Sequence, residues 1–207
     1  MNAKRGRPAR RGRDSEILNA GFQEFAEKGF DGARLDQVAA RAGIAKGTLY
    51  LYYENKEALF EAAVRSRISP ILGKVTRLVD FYPGPTRLLL RVMFRFMYRQ
   101  IEKGDMRTVM RIMIAEGERF PSLTEFYYRE FISQMMQILE KIIAKGVASG
   151  ELRDGAATRL PMVVIAPGIM ASIWQMVFQP YHPIKLDEFL EAHIDLIMNG
   201  ISQERST

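Results

Sequence analysis

The stretch GFDGARLDQVAARAGIAKGTLYLYYENKEALF, residues 29–60, decides the fold of this chain. Within it, apolar residues recur at helical spacing in two short segments that are separated by a tight turn at Gly43. The spacing predicts one helix over residues 35–42 and a second from residue 46 to about residue 52. Two short helices joined by a glycine turn are typical of a helix-turn-helix, in which the second helix enters the major groove of DNA.

The second helix carries side chains that suit a DNA groove. Val38, Ala39, Ile44 and Leu49 have the spacing of apolar anchors, which leaves the remaining positions facing outward. Small residues permit close approach, a hydroxyl and a cation suit phosphates, and aromatic edges reach bases or sugars. Taken alone, the tyrosines equally fit ordinary aromatics between surface and core. The residues of this segment that we expect to contact DNA are Ala45, Lys46, Gly47, Thr48, Tyr50 and Tyr52.

Over about residues 15–64 the chain resembles the DNA-binding domain of the TetR (tetracycline-repressor) family. The pattern of that family is an Ala-Gly-hydrophobic turn, Thr-Leu-Tyr after Gly or Pro, an aromatic pair, and Asn/Asp/Ser-Lys opening helix 4. This chain supplies Ala42-Gly43-Ile44, Gly47-Thr48-Leu49-Tyr50, Tyr52-Tyr53 and Asn55-Lys56. The resemblance implies that Lys46, Thr48, Tyr50, Tyr52 and Lys56 face DNA, with Tyr50 and Lys56 on phosphate.

One departure from the family pattern lies at the start of the first short helix. Where the family usually has a Thr or Ser that caps the helix and touches phosphate, this chain has Ala33-Arg34. A hydroxyl cap is worth about 1 kcal/mol. Arg34 can still reach phosphate by its side chain, so we retain it as a candidate, whereas Ala45 offers only a thymine-methyl contact.

The rest of the chain also has helical spacing, and no segment of useful length alternates as a half-buried strand does, so we expect an all-α protein of about nine helices. A hydrophobic fraction of 47% is enough for a full core. We expect a basic arm over residues 1–13, a three-helix DNA-binding domain over 14–64 and a larger helical effector-binding and dimerisation domain over 65–207. Pro70 should bend or end helix 4. Later helices are expected over residues 86–103, 105–116, 122–149, 155–179 and 185–199.

The formal net charge of +6 favours a polyanionic partner, either nucleic acid or an anionic membrane surface. The chain has no cysteine and two histidines, so disulfides, thiolate metal sites and cysteine catalysis are excluded. The basic start runs into Asp14 and Glu16 rather than into an apolar stretch, which is unlike a secretory signal. We therefore expect a cytoplasmic protein.

The positive charge is concentrated in the N-terminal arm. Lys4-Arg5-Gly6-Arg7-Pro8 resembles the Arg-Gly-Arg-Pro core of the AT-hook, a module that binds the minor groove. By this resemblance Arg5 and Arg7 would enter a narrow A·T-rich minor groove, whose negative potential is strong. The alternative is a solvated basic arm that adds only non-specific attraction.

Residues 160–181 carry no charge and are about long enough to span a bilayer. The segment also contains three prolines and several polar side chains, which are costly against lipid. We therefore expect a helix packed against a protein partner, and no membrane as a partner. In the TetR family the last two helices of each subunit pair across a two-fold axis, and Gly168 and Ser172 would let two such helices approach closely. Core packing within one chain is the alternative. The expected interface residues are Gly168, Ser172, Gln175, Phe189, His193 and Ile197.

Methionines and aromatic rings suggest an adaptable cavity for a small hydrophobic effector. Each residue taken singly is better explained as ordinary core. Trp174, the only tryptophan, is placed at or near this cavity. The expected ligand-binding residues are Phe94, Met97, Tyr98, Met110, Phe126, Met135, Trp174 and Phe178.

Arginines at steps of four along residues 87–99 repel one another, so an acidic group should lie alongside them. Glu102, Glu116 and Glu118 are candidates, and an anionic ligand is the alternative. His193 has only His182 as a possible partner ligand, so we expect a packed histidine, no metal and no cofactor.

Together these features predict a ligand-responsive transcriptional regulator that binds a pseudo-palindromic operator as a homodimer. Repression, followed by release on binding a small molecule, is the default of the resembled family. The alternative is a basic helical scaffold or membrane-surface protein, which would lack sequence-selective DNA binding. An enzyme is disfavoured because the sequence has no glycine-rich phosphate loop and no nucleophile with a partnered base.

Overall fold

The structure, a computed structural model, describes residues 8–201, with side-chain surroundings from residue 12 onward. Apart from a single isolated bridge residue, every element of secondary structure in this range is a helix, which confirms the all-α prediction. A π-helical turn, Tyr128–Ile132, joins α7 to α8. The helices are α1 (Pro8–Gly32), α2 (Leu35–Arg41), α3 (Lys46–Tyr50), α4 (Lys56–Phe81), α5 (Thr86–Lys103), α6 (Asp105–Glu116), α7 (Pro121–Tyr127), α8 (Ser133–Ala148), α9 (Ala156–Arg159), α10 (Pro161–Val177) and α11 (Leu186–Ile201).

Two of the predicted helices are each divided in the structure. The helix expected over residues 122–149 contains the π-helical turn. The helix expected over 155–179 breaks at Leu160, which has φ −123° and ψ 77°, because the α region is disfavoured for the residue before a proline. Pro161 then occupies the first turn of α10, where a missing N–H costs nothing. Pro70 does not end α4, which continues to Phe81.

The chain forms two compact units. The first comprises residues up to Pro70 together with Thr108–Tyr127, and the second comprises Ile71–Arg107 with the chain from Tyr128 onward. α4 therefore passes from the first unit into the second. No helix within residues 8–201 is long and apolar enough to cross a membrane.

An aromatic cluster holds the first unit together. The ring of Phe30 lies edge-on to Phe60 at 5.4 Å and to Phe120 at 4.8 Å, and Phe25 meets Phe60 at 5.0 Å. Edge-to-face pairs at such distances add about 0.5–1.5 kcal/mol each beyond the area they bury. The cluster therefore joins α1 and α4 to the segment before α7.

The end of α1 is turned by Gly29, which has φ +72°. A Cβ there would lie 2.3 Å from Oε1 of Glu116, so glycine is required both by the backbone and by its neighbour. The Glu116 carboxylate accepts hydrogen bonds from the backbone N–H groups of Phe30 and Asp31 at 2.9 and 2.6 Å. Glu116, which the sequence offered as a partner for the arginines of α5, is thus engaged by backbone N–H groups within the first unit.

The second unit is built around α5, α8, α10 and α11. Its core includes Leu89, Leu90, Phe94, Ile142, Val164 and Ala171, all 2% exposed or less. His193 lies in the same core, 2% exposed, between Tyr98 and the backbone of α10. Its Nε2–H donates to the Val164 carbonyl at 2.9 Å, and its Nδ1 accepts from the Tyr98 hydroxyl at 3.2 Å. Burial lowers the pKa of His193, so the ring is neutral at pH 7.

Two buried glycines allow close packing in the second unit. A Cβ on Gly146 of α8 would lie 2.5 Å from Leu152 Cδ1 and 2.8 Å from Thr86 Cγ2. A Cβ on Gly168 of α10 would lie 2.2 Å from the terminal methyl of Met97 on α5. The small residue that we expected between two subunits therefore serves the contact between α10 and α5 of one chain.

Replacing Gly146 by alanine should lower the free energy of unfolding by about 1–2 kcal/mol, because overpacking against the buried Leu152 and Thr86 outweighs the gain in helix propensity. Gly73→Ala is the matched control, since no atom lies within 4 Å of its added Cβ and the residue lies inside α4. The free energy of unfolding of this control should rise by about 0.5–1 kcal/mol. Urea denaturation of both variants checks the pair, and equal shifts in the same direction would contradict the packing described for Gly146.

Candidate nucleic-acid interface

The helix-turn-helix predicted from the sequence is present in the first unit. Gly43 turns the chain with φ +63°, and Ile44 N–H donates back to the Ala39 carbonyl at 3.0 Å. Val38, Ala39 and Leu49 are 0–2% exposed and pack α2 and α3 into the unit. α3 is therefore held by one buried residue on one side and is exposed on the other.

The side chains expected to contact DNA lie on this exposed side of α3 and on the residues that follow it. Ala45, Lys46 and Gly47 are exposed, Tyr50 is 46% exposed, and Thr48 and Tyr52 are partly exposed. Their roles on DNA stay predictions, and the geometry leaves all six accessible. Tyr53, by contrast, donates a hydrogen bond from its hydroxyl to Asp14 of α1 at 2.6 Å and therefore braces α1. Burial raises the pKa of this hydroxyl.

Arg34 occupies the N-cap of α2 without a side-chain cap bond, as the departure from the family pattern predicts. Its guanidinium is exposed but donates to both oxygens of Asp36, at 3.2 and 3.0 Å. These hydrogen bonds hold the pKa of Asp36 below its ordinary value. A phosphate would have to compete with this carboxylate, so Arg34 is a weaker candidate than the sequence indicated.

Lys56, expected on phosphate, is engaged within the fold. Its ammonium donates to the carbonyls of Asp31 and Ala33 at 2.8 and 3.4 Å, and lies 4.8 Å from the centre of the Phe30 ring. Two of its three N–H donors therefore close the turn between α1 and α2. Asn55 caps α4 as expected, its Oδ1 accepting from Ala58 N–H at 2.7 Å. Arg5 and Arg7, together with the rest of the AT-hook segment up to residue 7, lie outside the described residues.

A cavity of about 770 Å³ lies in the second unit, and Tyr98 is the one expected ligand residue that lines it. Met110 and Phe126 belong to the first unit. Trp174 donates its indole N–H to the His182 carbonyl at 2.7 Å and packs against Phe178 in the turn after α10. Phe94, Met97 and Met135 are wholly or partly buried but do not line the cavity. The cavity is lined by Arg95, Tyr98, Arg99, Glu102, Arg107, Gln175, Lys185, Leu186, Asp187, Glu188, Leu190 and Glu191.

Charged side chains make up much of this lining, whereas the methionines and aromatic rings of the sequence predicted an apolar one. Arg95 pairs with Glu191 at 3.5 Å, and Lys185 pairs with Glu188 at 2.7 Å. Among the described residues, Arg99 and Arg107 form no ion pair, and the buried Nε of Arg107 has no hydrogen-bond acceptor. The acidic partner of the α5 arginines is thus found for Arg95, on α11, and not for Arg99.

The predicted interface residues are largely turned into their own chain. Gly168, Ser172, His193 and Ile197 are buried in the single chain, because they form the inner faces of α10 and α11. A second copy cannot reach their side chains, so these four are corrected to core residues. Gln175 is partly buried and bonds Gln179 at 3.1 Å, and Phe189 is partly buried.

The opposite face of α10 is apolar and exposed. Its large side chains recur in steps of seven residues, which is about two helical turns, and Leu196 of α11 is 63% exposed as well. The helix that we expected to pair between subunits therefore has an apolar face outward, but it is made of other residues. On α10 the exposed set is Met162, Val163, Ile169, Met170 and Val177.

The exposed α3 and its buried brace define a DNA-binding protein of the helix-turn-helix class. Residues 17–63 match the family model described as "Bacterial regulatory proteins, tetR family", and residues 89–159 match the "AefR-like transcriptional repressor, C-terminal domain" model. The chain belongs to the TetR family of bacterial transcription regulators.

Related proteins span nearly the whole chain. It is 24% identical over 191 residues to the fatty acid metabolism regulator protein of Bacillus subtilis, covering 90% of this chain and 94% of that protein. It is 25% identical over 196 residues to the transcriptional repressor KstR2 of Mycolicibacterium smegmatis, covering 93% and 92%.

Solved structures share the fold. FadR of Bacillus subtilis in complex with stearoyl-CoA superimposes with a TM-score of 0.72 at 19% identity, covering 90% of this chain and 98% of FadR. The SmeT–triclosan complex superimposes with a TM-score of 0.77 at 22% identity, covering 93% of each chain.

Because Lys56 is bonded to backbone carbonyls and Tyr50 is exposed, their alanine variants should behave differently. Tyr50→Ala and Lys46→Ala should weaken binding to an operator selected from random duplexes while leaving the melting temperature unchanged. Lys46→Ala should also reduce the salt slope by about 0.9 for each phosphate that the variant no longer neutralises. Lys56→Ala should weaken operator binding and should also lower the free energy of unfolding by about 1–2 kcal/mol, because two backbone carbonyls lose a charged hydrogen-bond donor.

Fluorescence anisotropy with labelled operator measures the affinities, and thermal melting measures the stabilities. Wild-type affinity in both the Tyr50 and the Lys46 variants would remove α3 from the DNA interface. Unchanged stability of Lys56→Ala would contradict its bracing role.

Proposed function

We propose that this regulator is a repressor whose two copies of α3 occupy successive major grooves of a pseudo-palindromic operator, and that a small molecule bound in the second unit releases it. The observation that carries the proposal is α3 itself, a short helix with its single anchor, Leu49, buried and its polar and small residues exposed. Such a helix has no partner for its outer face within the described part of the first unit. DNA supplies one.

The proposed dimer forms through the exposed face of α10 with Leu196 of α11. Met162 and Met170 are 64% and 50% exposed, and neither is needed to close the core of its own chain. Burying a Val, Leu, Ile or Met side chain contributes about 1.5–3 kcal/mol. A contiguous exposed apolar face of this kind marks an interaction surface. Because the proposed function needs two α3 helices, a second copy of the same chain is the partner that best covers this face.

The proposed effector site is the cavity between α5 and α11 in the second unit. Within the described residues Arg99 and Arg107 have no carboxylate partner, so they offer cationic groups to a ligand with an anionic group, beside the carboxylates of Glu102 and Asp187. The sequence predicted a hydrophobic effector, and the charged lining adds an anionic group to it, so the proposed effector is amphipathic. The relationship to a fatty acid metabolism regulator, and the fold shared with a stearoyl-CoA complex, support a long-chain acyl-CoA as the first compound to test.

A protein that binds operators works where the chromosome lies, so we place it in the cytoplasm. Its chemistry is binding rather than catalysis, and we assign it no enzymatic activity. A basic scaffold or membrane-surface protein would need neither the helix-turn-helix nor the charged cavity. Selectivity among duplex sequences distinguishes these functions.

Met170→Glu with Val163→Glu should convert the protein from dimer to monomer, because it would place charges at the centre of the proposed interface. Operator affinity should fall by roughly a hundredfold or more, because a monomer binds one half-site without a linked second subunit bound to the other half-site. Leu88→Glu is the matched control, being 48% exposed on α5 and outside the proposed face. Sedimentation equilibrium at micromolar concentration reports the mass; a dimer that survives the double substitution, or a monomeric wild type, would refute this interface.

Stearoyl-CoA should release the wild-type protein from its operator, and Arg99→Ala should raise the concentration for half-release by about tenfold, the loss of one charge-assisted hydrogen bond. Arg91→Ala, on the same helix but outside the cavity lining, should leave that concentration unchanged. Anisotropy titration of the preformed complex measures release. An Arg99 variant as responsive as wild type, or no release by acyl-CoA, would rule out this anionic site.

A further inference from the structure

The first unit carries an exposed leucine that the recognition motif does not account for. Leu51, directly after α3, is 80% exposed, more than any other large apolar residue described in that unit. It has helical backbone angles, φ −74° and ψ −18°, and its N–H donates to the Thr48 carbonyl at 3.1 Å. Its side chain therefore follows the rotation of α3.

The rotation of the helix places Leu51 opposite the anchor. Successive residues turn by about 100°, so Leu51 and Gly47 each lie about 200° from Leu49, in opposite senses, and about 40° from one another. Because Leu49 is fully buried, the side of α3 shared by Gly47 and Leu51, its outward pole, points away from the core of the first unit. Lys46 and Tyr50 lie to one side of this pole.

Gly47 is not required by the fold. An added Cβ would meet no atom within 4 Å, and its φ is not in the left-handed region. A glycine inside a helix is less favourable than alanine, and nothing within the described part of the chain offsets that loss. The bare backbone beside Leu51 is therefore suited to the close approach of another molecule.

The outward pole of α3 has no hydrogen-bonding side chain, because Gly47 has no side chain and Leu51 is a hydrocarbon. Of the groups that base pairs present in the major groove, only the thymine C5-methyl is apolar. We propose that Leu51 packs on a thymine methyl group in each operator half-site, with Gly47 letting the helix approach the base edges. This inference rests on the proposed function, since it requires α3 in the major groove.

The test removes the methyl group without changing hydrogen bonding. In an operator selected from random duplexes, each thymine of the half-site is replaced in turn by deoxyuridine, symmetrically in both half-sites, and dissociation constants are measured by anisotropy at fixed salt. At one position wild type should lose about fourfold per half-site, and about fifteenfold for the pair, the worth of one buried methyl group in each.

Leu51→Ala should bind the thymine operator more weakly and show no further loss with deoxyuridine at that position, because the two changes remove the same contact. Ile114→Ala, 66% exposed on α6 of the same unit, should keep the wild-type ratio. Leu51 is exposed enough that the fold should not change, and melting curves check this.

The outcomes separate the two proposals. If Leu51→Ala keeps the wild-type thymine-to-deoxyuridine ratio at every position, or weakens both operators equally, the methyl contact is overturned while DNA binding stands. If no thymine in the operator is sensitive to deoxyuridine, the contact is likewise overturned. If no duplex is selected over random sequence, the proposed function itself fails.

Discussion

The complete burial of Leu49 is the constraint on which recognition depends. α3 has five residues, far fewer than a helix needs to be stable alone in water, so its orientation comes from packing. With Leu49 held against α2 and with the turn set by Gly43, only one face of α3 can be exposed. The aromatic cluster of Phe25, Phe30 and Phe60 packs α1 against α4 in the same unit.

In the second unit, as in α3, each helix buries one face, and that burial determines which face is exposed. Gly168 and Ala171 bring α10 against the core, and that contact turns Met162 and Met170 to the outside. The inner face then determines which residues are left for a second copy. In α5, Phe94 faces the core, Tyr98 lies in the core and also lines the cavity, and Arg95 and Arg99 line the cavity. The orientation of this one helix therefore determines both the core packing and the proposed effector site.

The sequence was sufficient for the helices and the motif, because period, turn glycines and prolines are local signals. The bounds of α5 and α6 and the Asn55 cap agree with expectation to the residue. Partners were harder to predict. Gly168 and His193 were predicted at the dimer interface but are buried within their own chain, because helical spacing predicts which residues share a face and not what that face packs against. The phosphate contact of Lys56 stays a prediction. Its hydrogen bonds to carbonyls 23 and 25 residues away could not be predicted, because the resemblance carries no information on them. The charged cavity escaped prediction because its lining converges from α5, the start of α6, α10 and α11.

The central claim is that a symmetric pair of α3 helices reads operator DNA in the major groove. Methylation protection on a selected operator tests it most directly, because dimethyl sulfate reports guanine N7 in that groove. The account predicts two protected patches related by a dyad and separated by about one helical turn, or a multiple of it. A single patch, or uniform protection along any duplex, would contradict it.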